Sequence, residues 1–207
     1  MALRTPLEAW INQKICPGTT KRLTREQLET YQLARLQEVI ARVKAKSRFY
    51  REHLKHIDPC RLASVKDIQF LPFTRAEQLR ENPNAFACVS QREIQRVVTT
   101  NTSGTTGEPK RFFYTAADQQ RTIDFFRQGM GVFTKSGDRV LIMLPGQRPG
   151  SVGNLLGKAL AALPAEAFQH NPYFSTLETR QFIQKENITV IVGTPVQILK
   201  LARYSNR

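Results

Sequence analysis

The sequence predicts an α/β fold, a helical N-terminal region followed by βαβ units, and three observations carry that prediction. A long amphipathic helix with a sequence-encoded start occupies the first half. Apolar strand-like runs alternate with helical patterns in the second half, as in a parallel sheet covered by its own crossovers. Between the two halves a β-branched run leads into a glycine-bearing loop and out into a second strand.

Thr24-Arg25-Glu26-Gln27 has the form of a capping box, in which a threonine hydroxyl and a glutamine amide satisfy each other's backbone donors. Leu28, Leu33, Leu36, Val39, Ile40 and Val43 then recur at three- and four-residue steps, so a helix is expected to run to about Ser47 with one face in the core. Phe49, Tyr50 and Leu54 predict a short aromatic-anchored helix closed by Asp58-Pro59. The apolar run Ile68 to Phe73 is broken by Pro72, and Thr74 is placed to cap a helix through Glu77 and Leu79 that Asn82-Pro83-Asn84 ends.

From Ile94 the chain turns β-branched through Val97, Val98, Thr99 and Thr100, and a second strand is expected from Arg111 to Tyr114. Helical patterns follow at Ala116 to Val132, Val152 to Leu163 and Ser175 to Glu186. Apolar strands are expected at Val140 to Leu144 and Ile188 to Val192, and Gly193-Thr194-Pro195 marks the exit from the last. The reading divides the chain into a helical region over 1–98 and a partial α/β subdomain over 99–207, the latter holding a candidate loop over 102–110.

The chain has 207 residues and 41% hydrophobic content, enough for a sizeable core. No stretch approaches the roughly 18 apolar residues of a membrane span, and MALRTPLEAW lacks the apolar run of a secretory signal, so a cytoplasmic protein with no membrane partner is expected. Cys16, Cys60 and Cys88 are far apart and outside any CxxC pair, and His53, His56 and His170 have no metal-ligand partners at suitable spacing, which points away from a disulfide framework or a metal site. The net charge of +14 raises a polyanionic partner, but residues 1–98 carry +8 and residues 99–207 carry +6. Basicity spread in this way, without an RRM, KH, helix-turn-helix or zinc-finger signature, argues against nucleic acid and suits anionic small molecules.

Thr102-Ser103-Gly104-Thr105-Thr106-Gly107-Glu108-Pro109-Lys110 carries the chemistry. Its glycines let backbone approach phosphate oxygens while hydroxyls and an ammonium supply further donors. The order is not that of a Walker loop, since Pro109 intervenes and no Ser or Thr follows Lys110. This segment is similar to the phosphate-binding loop of the adenylate-forming superfamily, the acyl-CoA synthetases and their relatives. Upstream, Gln32 to Leu36, Ser47 to Arg51 and Leu71 to Thr74 resemble the N-terminal region of the phenylacetate-CoA ligase branch, as Gly193-Thr194-Pro195 does downstream.

The resemblance implies the large N-terminal domain of an AMP-forming acid–CoA ligase. In it, Ser103, Gly104, Thr105, Thr106 and Gly107, with Thr102 and Lys110 beside them, hold the phosphates of ATP. It implies ATP, magnesium and CoA as reactants, and an aryl or related carboxylic acid as substrate. The loop Pro145 to Gly153 matches the family's acyl-pocket region, where Arg148 is either a partner for a substrate carboxylate or an exposed loop arginine. The branch's aromatic residues are not found there. The magnesium-binding glutamate, the ribose-binding aspartate and the lid with its catalytic lysine are expected after residue 207, so no catalytic residue is assigned and no metal ligand lies in these residues. The resemblance covers about the first half of the usual enzyme. An incomplete sheet that self-associates or requires the other half is therefore expected, as is a chain that does not complete adenylation alone. The alternative is a non-catalytic remnant or nucleotide-binding module of such a ligase.

Overall fold

Thr24 starts the longest helix by the mechanism the sequence encodes: its Oγ1 accepts from Gln27 N at 3.2 Å, and its own N–H donates to Gln27 Oε1 at 2.9 Å. The computed structural model describes residues 6–18, 21–100 and 109–204. They divide into two compact units, one over Ile11–Ala116, the other from Ala117 onward together with the first turns of the first helix.

The first helix is α1 (Pro6–Ile15), and the first unit continues with α2 (Arg25–Lys46) and α3 (Arg48–His53). Ser47, fully buried, ends one helix and begins the next. Its N–H donates to Val43 O, and its Oγ accepts from Tyr50 N at 3.2 Å while donating to Ala85 O at 2.8 Å. Phe49 stacks on Phe86 at 4.1 Å, fixing α3 against the chain that leads to the strands.

α4 covers Ala76–Glu81 and starts one residue later than the sequence predicts. Arg75, not Thr74, is the cap residue, because Gln78 Oε1 reaches back to Arg75 N at 2.8 Å; the Thr74 hydroxyl instead meets Tyr50 OH at 3.1 Å. β1 (Ile94–Thr100) and β2 (Lys110–Thr115) pair antiparallel, with Thr100 opposite Lys110. None of the residues in this ribbon is fully buried.

The second unit is an α/β layer. After α5 (Ala116–Phe133) come β3 (Arg139–Ile142), α6 (Val152–Leu160), β4 (Glu166–Gln169), α7 (Thr176–Lys185), β5 (Val190–Val192) and α8 (Pro195–Tyr204). All three strands are parallel in the order β4-β3-β5. The crossover from β3 to β4 and that from β4 to β5 run in opposite directions across the sheet, so a common hand puts α6 and α7 on opposite faces. The packing agrees. Val140 and Ile142 pack with Leu156 and Leu160 of α6 and with Phe126 and Met130 of α5, whereas Leu141 and Met143 pack with Phe182 and Ile183 of α7 and Leu201 of α8. β3 is consequently buried on both faces, the reason it reads as an unbroken apolar run.

β4 was not predicted. Glu166-Ala167-Phe168-Gln169 is an edge strand in which only Phe168 is half-buried, so neither an apolar run nor an alternation marks it. Its presence separates two helices that the sequence places in succession. Other boundaries tighten: β3 ends at Ile142 rather than Leu144, α6 at Leu160 rather than Leu163, and β5 starts at Val190 because Ile188 N bonds Ile183 O and the Thr189 hydroxyl accepts from Arg139 N. Among the described residues no helix is long and apolar enough to cross a membrane, and the three cysteines are free.

Candidate nucleotide and acyl site

The β1–β2 ribbon frames the candidate phosphate loop. Thr102, Ser103, Gly104, Thr105, Thr106 and Gly107 lie outside the described residues; Lys110, the last position of the motif, is the first residue of β2 and half-buried. Because Thr100 and Lys110 are ladder partners, the ends of the intervening segment are held one strand spacing apart, roughly 5 Å.

The second candidate region lies at the carboxyl ends of the parallel strands, where open α/β sheets hold their ligands. Beyond Ile142 the regular ladder stops, and the carbonyls of Met143, Leu144 and Pro145 need other partners. Side-chain amides and one backbone group supply them. Gln169 Nε2 donates to Leu144 O at 2.7 Å and to Ile142 O at 3.2 Å, Gln197 Nε2 donates to Met143 O at 3.2 Å, and Gly153 N donates to Pro145 O at 2.8 Å.

The loop's far end is closed as tightly. Arg148 O accepts from Ser151 N at 3.0 Å and from Ser151 Oγ at 2.6 Å, and Gly150 N donates to Asn154 Oδ1 at 2.9 Å. Gly150 takes φ +71°, which a residue with a Cβ rarely adopts. A Cβ on Gly153 would fall 2.5 Å from Leu144 O, so only glycine lets α6 start this close to the loop. The Arg148 side chain is exposed, and its guanidinium has no ion-pair partner among the described residues.

His170 follows β4 at the same end of the sheet. Its Nε2 lies 2.9 Å from Thr179 Oγ1, its ring meets Phe174 edge-on, and burial pushes its pKa below the usual histidine value. The amino end of the sheet is built for cohesion instead. Arg139 pairs with Glu166 and, at 3.0 Å, with Glu186, and its guanidinium lies over the Phe168 ring at 4.4 Å. Asp138, buried beside it, accepts from Lys135 N and the Thr189 hydroxyl, which hold its carboxyl below the ordinary range.

The same arrangement of elements occurs in solved enzymes. A 2-hydroxyisobutyryl-CoA ligase in complex with 2-HIB-AMP and CoA in the thioesterification state matches 89% of this chain with a TM-score of 0.74 at 24% identity. The fold is that of a CoA ligase's N-terminal portion. An open conformation of that ligase with 2-HIB-AMP and CoA gives 0.74 at 22% identity, and its postadenylation state with 2-HIB-AMP gives 0.70 at 22%. This chain spans 40% to 44% of the length of those chains. No protein-family model and no curated protein sequence matches it.

Gln169, Asn154 and Gln197 escape a reading of the sequence because amides carry no catalytic signature. A partial signal existed for Gln197: Thr194-Pro195-Val196-Gln197 has the spacing of a capping box, and Thr194 N does donate to Gln197 Oε1 at 3.0 Å. Gln169 stands at the end of a strand the sequence does not reveal.

Proposed function

We propose that this chain is the N-terminal part of an AMP-forming acid–CoA ligase of the adenylate-forming superfamily, nearest its phenylacetate-CoA ligase branch. Its substrates are ATP, a small carboxylic acid of the aryl or a related class, and coenzyme A. The observation that carries this reading is the loop from Thr102 to Lys110, whose residue types suit phosphate. A Thr100–Lys110 ladder pair closes it, in a fold shared with a CoA ligase.

In the first step a carboxylate oxygen attacks the α-phosphorus of ATP, the α–β bridge breaks, and pyrophosphate leaves with its electrons. Negative charge grows on the leaving group, so donors placed around the β- and γ-phosphates favour the transition state over the ground state. Ser103, Thr105 and Thr106 supply hydroxyls, Gly104 and Gly107 let backbone N–H groups come close, and Thr102 and Lys110 complete the set. In the second step the CoA thiol loses its proton, its sulfur bonds to the acyl carbon, and AMP leaves. Arg148 faces the acid's carboxylate before adenylation. Among the described residues no group of three His, Cys, Asp or Glu side chains could hold a metal ion; the loop and Lys110 add their donors to the magnesium that accompanies ATP.

Calorimetric titration of the chain with ATP tests the reading. Lys110→Ala and a Thr105→Ala, Thr106→Ala double variant are each expected to weaken binding roughly tenfold or more, since each loses charge-assisted hydrogen bonds. Equal affinity in the variants, or no binding by the unmodified chain, contradicts it.

A further inference from the structure

We propose that Gln169 and Gln197 are positioning residues for the acyl site, holding the loop that carries Arg148 in a fixed, substrate-ready shape. The inference rests on the ligase reading and deepens it.

Two successive carbonyls beyond β3, at Met143 and Leu144, have no strand to pair with, whereas Ile142 O already accepts from His170 N at 2.9 Å. Two glutamines from different elements cover them: Gln197, in the first turn of α8, takes the first, and Gln169, the last residue of β4, takes the second and adds a donor to Ile142 O. The amide of Gln169 also lies flush on Gly146, leaving no space there for a Cβ. Gln197 is itself fixed by accepting from Thr194 N at 3.0 Å and by its contact with the Thr194 hydroxyl at 2.9 Å. The exit of β5 is thereby tied to the exit of β3.

Both clamps are neutral. A lysine would satisfy the same carbonyls but would add a positive charge beside Arg148, and a carboxylate would repel the carbonyl oxygens. Glutamine donates without changing the field, which leaves the Arg148 guanidinium, without an ion-pair partner among the described residues, as the charge an anionic substrate meets. The loop then resists rearrangement on binding, so affinity is not spent on ordering it.

The choice of amide gives a test that ordinary destabilisation does not mimic. In Gln169→Glu, the introduced carboxyl donates to Leu144 O only when protonated. Two readouts apply to the full 207-residue chain: amide hydrogen exchange of residues 143–151, and calorimetric affinity for benzoyl-sulfamoyl adenosine, a stable mimic of an acyl adenylate. We expect Gln169→Glu at pH 7.5 to expose the loop to exchange while Val140 to Ile142 and α6 stay protected. Affinity for the mimic should fall roughly tenfold, the loss of one hydrogen bond that shapes the loop, while ATP affinity is unchanged.

Lowering the pH to about 4, below the ordinary glutamate value, should restore both loop protection and affinity relative to the unmodified chain measured at the same pH. Gln169→Leu should show the same losses with no recovery. Normal protection and affinity in both Gln169 variants, or losses in Gln169→Glu that ignore pH, would overturn the positioning role while leaving the ligase reading standing. Failure of the unmodified chain to bind the mimic would overturn this inference, and failure to bind ATP as well would refute the ligase reading.

Discussion

The two candidate regions are held by different means. The carboxyl end of the parallel sheet stands on β3, whose Val140, Leu141 and Ile142 are sealed from solvent on both faces, and its loop is pinned by side-chain amides from three elements. The phosphate-loop ribbon has no fully buried residue; Val97 is half exposed, and Phe112 and Tyr114 are partly open to water. The ends of the loop are held together by the backbone ladder. Under the proposed function, the region that would recognise an acyl group gains from rigidity, whereas one that would admit and release a triphosphate gains from a more exposed frame.

The contrast can be broken by mutation. Leu160→Ala, at a fully buried position beside Val140 and Leu156, is expected to cost about 2–5 kcal/mol in urea unfolding, whereas Phe112→Ala on the ribbon should cost about 1 kcal/mol. Equal losses would dissolve the distinction. Ser47→Ala removes a buried hydroxyl with two partners and should cost about 1–3 kcal/mol, felt in the helical unit. Arg139→Met should cost less, about 1 kcal/mol, because its carboxylate partners are partly exposed.

The smallest effect is a pH dependence of the sheet unit. Burial lowers the folded-state pKa of His170, so its neutral form is favoured on folding. Stability from this source is complete above about pH 6.5, the unfolded value, and is lost as pH falls below it. Asp138 is also depressed, by hydrogen bonds from Lys135 N and the Thr189 hydroxyl, and its contribution disappears only below about pH 4. Thermal unfolding midpoints should show both steps, and His170→Gln should abolish the upper one alone. A His170→Gln profile that keeps the upper step would assign it elsewhere.

What was legible in the sequence follows the same division. The capping box at Thr24 and the run at Val140 announced their elements, because local hydrogen bonding and two-sided burial leave direct marks. β4 left none, since an edge strand with three exposed residues has no hydrophobic period to show. The cap moves from Thr74 to Arg75 because Gln78 Oε1 reaches Arg75 N, while the Thr74 hydroxyl meets Tyr50 OH, 24 positions away. At the site, Lys110 and Arg148 were nameable from residue type, but the amides that fix the loop became visible only once β4 and α8 were placed.

The most direct test of the central claim is amide hydrogen exchange of the chain with and without saturating ATP. The account predicts new protection in peptides spanning Ile94 to Thr115, with the buried segment Val140 to Leu160 protected equally in both states. No change over Ile94 to Thr115, or a change confined to other segments, would contradict it.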